Sequence, residues 1–161
     1  MKSLFNESFS LMQKLGKSLM VPVSVLPAAG LLVALGRILE DLATTDQVVT
    51  STTLLVVGKL FYSGGLAIFE QLPLIFAIGV AIGFTGGAGV AALAAAVGYF
   101  TLTNILKVIG EVRELTLAIN TGVFGGIIIG LITAYIYKRF FKTQLPKVLG
   151  FFSGKRLVPI L

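Results

Sequence analysis

The sequence predicts an all-α fold, a polytopic transmembrane helical bundle of about four spans that follows an amphipathic N-terminal helix. Three observations carry that prediction. Of 161 residues, 56% are hydrophobic and only 12% charged, about half the usual quarter of charged residues. Three long stretches, Ser18–Gly36, Gln71–Leu106 and Leu115–Tyr137, hold no charged residue at all. Basic side chains gather at the two ends of the chain, Lys2, Lys14 and Lys17 at one and Lys138, Arg139, Lys142, Lys147, Lys155 and Arg156 at the other. A water-soluble globule of this size cannot hide so much apolar surface. The composition is equally foreign to a disordered chain.

Taken in order, residues 2–20 have the periodicity of an amphipathic helix. At 100° per residue Leu4, Phe5, Phe9, Leu11, Met12, Leu15 and Leu19 share one side, and Lys2, Asn6, Gln13, Lys14 and Lys17 the other. Residues 1–17 are expected to lie along the membrane surface. Charges continue to Lys17 and no small-residue cleavage site follows the apolar run, so the segment is expected to be retained rather than removed as a signal peptide.

About 20 apolar residues cross a hydrocarbon core of ~30 Å. Ser18–Gly36 and Leu115–Tyr137 each fit one crossing. Gln71–Leu106 is too long for one, and Gly83-Phe84-Thr85-Gly86-Gly87-Ala88-Gly89 interrupts it. The break reads as a turn, with a second helix from about Val57 to Gly83 and a third from about Ala88 to Leu106. Four spans thus occupy residues 18–137, and residues 138–161 form a basic loop. Positive residues near span ends stay inside, so both basic clusters are expected in the cytoplasm, which an even number of crossings allows. The loop after the first span carries Glu40, Asp41 and Asp46 instead. Tyr135 and Tyr137 read as an interfacial aromatic belt. Topology and anionic lipid account for the net charge of +6, and no nucleic-acid partner is expected.

The sequence offers little for catalysis. It has no Cys and no His, which excludes thiolate nucleophiles, thiolate metal sites and histidine acid–base chemistry. No catalytic residue, metal site or cofactor is expected. Pro22 and Pro27 interrupt the first apolar stretch as a bend or a broken helix. Lys59, Glu70 and Gln71 are the strongly polar residues in or beside the second helix. Glu70 is a candidate substrate-binding residue because an ionisable group at membrane depth is costly; it equally fits an interface or a helix start before Pro73. Gly86, Gly87 and Gly89 resemble a phosphate cradle only superficially, since neither a strand nor a nearby Lys accompanies them; a turn is expected. Small residues from Ala91 to Gly98, and Gly122, Gly125, Gly126 and Gly130, mark helix-packing faces, including a Gly126-x-x-x-Gly130 pair. Asn120 is the second substrate-binding candidate, able to touch a sugar hydroxyl; helix capping by Asn120 and Thr121 is the alternative.

These residues also carry a family resemblance. The run Leu15–Gly30 (LGKSLMVPVSVLPAAG) resembles the opening of the membrane domain, enzyme IIC, of the bacterial phosphotransferase system, in its glucose/N-acetylglucosamine/glucoside branch. Matching blocks follow in family order at Phe69–Ala81 (FEQLPLIFAIGVA), Gly89–Ala94 (GVAALA), Thr121–Ile128 (TGVFGGII) and Leu145–Ile160 (LPKVLGFFSGKRLVPI). Glu70-Gln71 stands where the family commonly has Asp-Asn. The resemblance implies a phosphoenolpyruvate-dependent sugar permease of the bacterial cell membrane, N-terminus cytoplasmic. It would import glucose, N-acetylglucosamine or a related glucoside with concomitant phosphorylation. The implied partners are that sugar, the lipid bilayer, a phosphorylated IIB domain supplied by IIA and HPr, and a second copy in a homodimer.

In this family the phosphate carriers are a Cys on IIB and a His on IIA, and the sugar is held mainly by a C-terminal half bearing a Gly-x-Thr-Glu-Pro motif. This sequence has none of these. It is therefore similar to the N-terminal, scaffold and dimerisation part of a larger IIC domain, and Leu161 falls where a further span is expected. The alternative is a non-catalytic membrane fragment that dimerises with intact permeases. A small homo-oligomeric channel is weaker, because no span carries a polar stripe. Lys155 and Arg156 are expected to anchor the cytoplasmic side, or to dock the phosphorylating domain or attract a phosphorylated product.

Overall fold

A computed structural model describes residues 2–45, 52–114 and 119–161. Six α-helices follow in order: α1 (Lys2–Ser24), α2 (Leu26–Thr45), α3 (Thr52–Glu70), α4 (Leu72–Thr85), α5 (Gly89–Val112) and α6 (Gly122–Phe140). Two short 3-10 helices, η1 (Lys147–Phe152) and η2 (Gly154–Ile160), complete the chain. The described residues contain no strand, in agreement with the all-α expectation. Four stretches are long and apolar enough to cross a membrane: Phe9–Ala43, which takes α1 and α2 together, Thr52–Glu70, Gly89–Val112 and Gly122–Phe140. Asp46 and the expected start of the fourth span at Leu115 lie outside the described residues.

Leu-Pro dipeptides punctuate the chain. Pro27 and Pro73 each occupy the second position of a new helix, where the missing N–H costs no intrahelical bond. Pro146 is the N-cap of η1. Leu72-Pro73 has a consequence for the second span. One helix was expected over residues 57–83, and the structure instead ends α3 at Glu70 and opens α4 at Leu72. The physical reason is that Pro73 has no N–H to donate to the Phe69 carbonyl four residues back, and its ring would clash with that carbonyl in a continuous helix. Likewise the first apolar stretch is a broken helix: α1 runs through Pro22 and stops at Ser24, and α2 restarts at Leu26.

The chain forms two compact units. Val21–Leu72 holds α2 and α3, an antiparallel pair: Gly36 meets Tyr62, Glu40 meets Gly58, and Val33 meets Gly65. Glycine makes this approach possible. A Cβ on Gly58 would stand 2.9 Å from the Glu40 amide nitrogen, and one on Gly65 would stand 2.7 Å from Val33 Cγ2 and 2.8 Å from the Ala29 carbonyl oxygen. Arg37 reinforces the pair. Its guanidinium lies 4.4 Å from the centre of the Tyr62 ring, donates to the Tyr62 hydroxyl at 3.2 Å and faces Glu40 at 3.8 Å.

The other unit comprises Met1–Met20 and Pro73–Leu161. At its centre is α4, whose 14 residues rise only ~21 Å. It is apolar all round, the pattern of a helix enclosed by others. Ala77 and Ala81 pack with Ala91 and Ala95 of α5, with Tyr99, Ile129 and Tyr137 around them. Val80 and Phe84 pack with Ala134 of α6 and with Leu15 and Leu19 of α1. The Gly126/Gly130 face expected to pack does so. A Cβ on Gly126 would collide with the Pro73 carbonyl, and one on Gly130 would lie 2.6 Å from the Ala77 carbonyl oxygen. Outward-facing apolar side chains complete the picture: Met12 is 72% exposed, Leu60 67% and Val112 77%. Side chains of this kind suit lipid contact.

Candidate functional site

Glu70 closes α3 with its side chain exposed, and Lys59, about three turns earlier on the same helix, is exposed too. Asn120 is also exposed, and its Oδ1 accepts the Gly122 N–H at 2.8 Å. That bond is the local turn that capping predicts, made just before α6 begins. Thr121, the N-cap residue of α6, makes no side-chain cap bond. Glu70 belongs to one compact unit and Asn120 to the other, and neither lines any of the cavities described next.

A groove of about 290 Å³ runs between α5, α6 and η2, walled by Val97, Gly98, Ile129, Thr133 and Pro159 among others. Its lining is apolar apart from two threonines, so it offers shape without chemistry. A second cavity, of about 340 Å³, is more polar. It is lined by the turn Thr85-Gly86-Gly87-Ala88-Gly89-Val90, together with Tyr137 and Lys155.

The turn is built by helix-ending chemistry. Gly86 has φ +69° and Gly87 φ +92°, and the Gly87 N–H donates to the Ile82 carbonyl at 3.0 Å. This is the pattern in which a left-handed residue stops a helix and satisfies its last carbonyls. Thr85 Oγ1 turns back to donate to the Ala81 carbonyl at 2.7 Å. The expectation of a turn between packed helices therefore holds. What the sequence did not bring near the glycines is Lys155. The tertiary fold delivers it: η2 lies against α5 and α6, the Gly154 N–H donates to the Thr143 carbonyl at 2.8 Å, and Ser153 Oγ accepts the Leu145 N–H at 2.9 Å. No sequence spacing encodes such a return. The one available signal was Ser153-Gly154 directly before Lys155.

Tyr135 and Tyr137, the two expected belt residues, face different ways. Tyr135 is 66% exposed, as a belt residue would be. Tyr137 instead turns inward, stacked on Phe141 at 5.2 Å and packed on the Ala77/Ala81 cluster. Its neighbour Lys138 lies over the Phe84 ring, 5.6 Å from the centroid, and Lys14 lies 5.9 Å from the same centroid.

A bundle of apolar helices packed through glycine and alanine, with its apolar side chains turned outward, defines a multi-pass membrane protein. Residues 16–161 match the family model described as "Phosphotransferase system, EIIC". The chain belongs to that family. It is 48% identical, over 98% of its length, to the Bacillus subtilis (strain 168) protein named "PTS system glucosamine-specific EIICBA component". It spans about a quarter of that relative, 24%.

Proposed function

We propose that this chain supplies the N-terminal, scaffold part of a phosphotransferase-system permease that imports glucose or an amino sugar of its type and phosphorylates it in passage. The observation that carries this reading is the family match across residues 16–161. The name of the glucosamine-specific relative favours an amino sugar, glucosamine or N-acetylglucosamine, over glucose itself. Phosphate would come from a IIB domain recharged by IIA. In the full protein this segment would hold a second copy through its outer apolar faces, and both its basic ends would face the cytoplasm.

The residues fit a scaffold better than a reaction centre. Most of the contacts described above join one helix to another, and the two substrate candidates, Glu70 and Asn120, are exposed. Asn120 already spends its carbonyl oxygen on the backbone. The discriminating experiment is uptake by cells carrying the full-length gene. Labelled glucosamine or N-acetylglucosamine should enter as its phosphate, and only when phosphoenolpyruvate and the general phosphotransfer proteins are present. Uptake of free sugar without phosphoenolpyruvate would overturn the reading.

A further inference from the structure

The geometry points to a phosphate-binding site in the cavity between the Gly86-Gly87 turn and Lys155. Three lysines converge on this end of the unit. Lys155 lines the cavity itself. Lys14 from α1 and Lys138 from α6 lie over the one ring of Phe84, the residue directly before Thr85 in the cavity wall. Among the described residues, no carboxylate forms an ion pair with any of the three: the two pairs found are Arg37–Glu40 and Lys107–Glu111.

Lys155 stands apart from its neighbours in the basic tail. The adjacent Arg156 is engaged, its guanidinium 4.8 Å from the Phe151 ring centre and donating to the Phe151 carbonyl at 3.3 Å. Lys142 lies over Phe141. The backbone beside Lys155 is pinned to the segment after α6 through Gly154 and Ser153, which fixes where the Lys155 side chain leaves the chain. Across the cavity, Gly86 and Gly87 leave open space where a Cβ would stand, and a ligand can come close to the backbone there.

A cavity walled by a glycine turn and one ammonium, with two more ammonium groups at the ring of the neighbouring Phe84, suits a compact, multiply charged anion. Lysine binds phosphate as a point charge, and an anion placed among several lysines offsets their mutual repulsion. The shared chemistry is a phosphate ester or free phosphate. Its source is either the headgroup of an anionic phospholipid or a soluble phosphate.

The test is lysine reactivity in the full chain, reconstituted in phosphatidylcholine nanodiscs and read residue by residue by mass spectrometry after amine-directed labelling. One arm adds phosphatidylglycerol to the discs. The other adds inorganic phosphate at constant ionic strength. Labelling of Lys155 should slow about threefold, the protection expected when ligand is present at about twice its Kd, with Lys14 and Lys138 slowed alongside. Lys107 and Lys147 should change little. Protection in the phosphatidylglycerol arm alone assigns the site to lipid, and protection in the phosphate arm assigns it to a soluble anion. Unchanged rates in both arms overturn the proposal, as does equal slowing at Lys107 and Lys147, which would be surface potential only. Lys155→Gln should abolish most of the protection at Lys138; full protection there in the variant also overturns a shared site.

Discussion

At the scale of single residues, two neighbouring glycines separate packing from flexibility. A Cβ on Gly65 would press on Val33 and on the Ala29 carbonyl, whereas one on Gly64 meets nothing within 4 Å. Gly65→Ala should therefore cost about 1–3 kcal/mol through overpacking. Gly64→Ala should be neutral, or stabilising by up to about 1 kcal/mol through helix propensity. Thermal unfolding in detergent reads the difference, and equal midpoints for the two variants would mean α2 and α3 do not pack as described. The sequence disclosed Gly126 and Gly130 as packing residues because their four-residue spacing is itself the signature of close helix approach. It disclosed Asn120 only as a choice between two roles. It could not disclose Lys155 or Tyr137 at the glycine turn, because the first depends on η2 returning to α5 and α6 and the second on how α6 packs against α4, and local pattern specifies neither.

At the scale of helices, Arg37 and Tyr62 join α2 to α3 by ring contact and hydrogen bond together. A double-mutant cycle separates the two. With Arg37→Gln as one arm, Tyr62→Leu should show a coupling of about 0.5–1 kcal/mol, the range for a cation over a ring at an exposed site. Tyr62→Phe, which keeps the ring, should show less. Zero coupling with Tyr62→Leu would mean that glycine packing alone holds the pair. Helix existence was legible throughout, since apolar runs and basic flanks are strong signals. Helix division was legible less well. The run from Val57 to Gly83 looks continuous by hydropathy, and only Pro73 betrays the break; proline acts through backbone geometry, to which hydropathy is blind.

For the molecule as a whole, the absence of cysteine makes topology straightforward to measure. Single cysteines can be introduced into this chain without background from its own residues. Lys147→Cys should react with a membrane-impermeant maleimide only after cells are permeabilised, and Asp46→Cys should react in intact cells. Reaction of Lys147→Cys from outside would reverse the proposed orientation. The fold class and the family were both readable from the sequence, the first because lipid demands long uncharged helices, the second because five blocks recur in a fixed order. The sugar was not readable, since neither polar candidate, Glu70 or Asn120, has a spacing or a neighbour that selects one sugar over another.

The brevity of α4 bears on how the protein is made. Its 14 residues fall short of the ~20 that a segment needs to enter the bilayer on its own account. Its resting place is formed largely by Ala91 and Ala95 on α5 and by the notch at Gly126 and Gly130 on α6. The ribosome completes α4 before either partner exists. Insertion of the region is therefore expected to be a joint event of α4 with its later partners, not a helix-by-helix one.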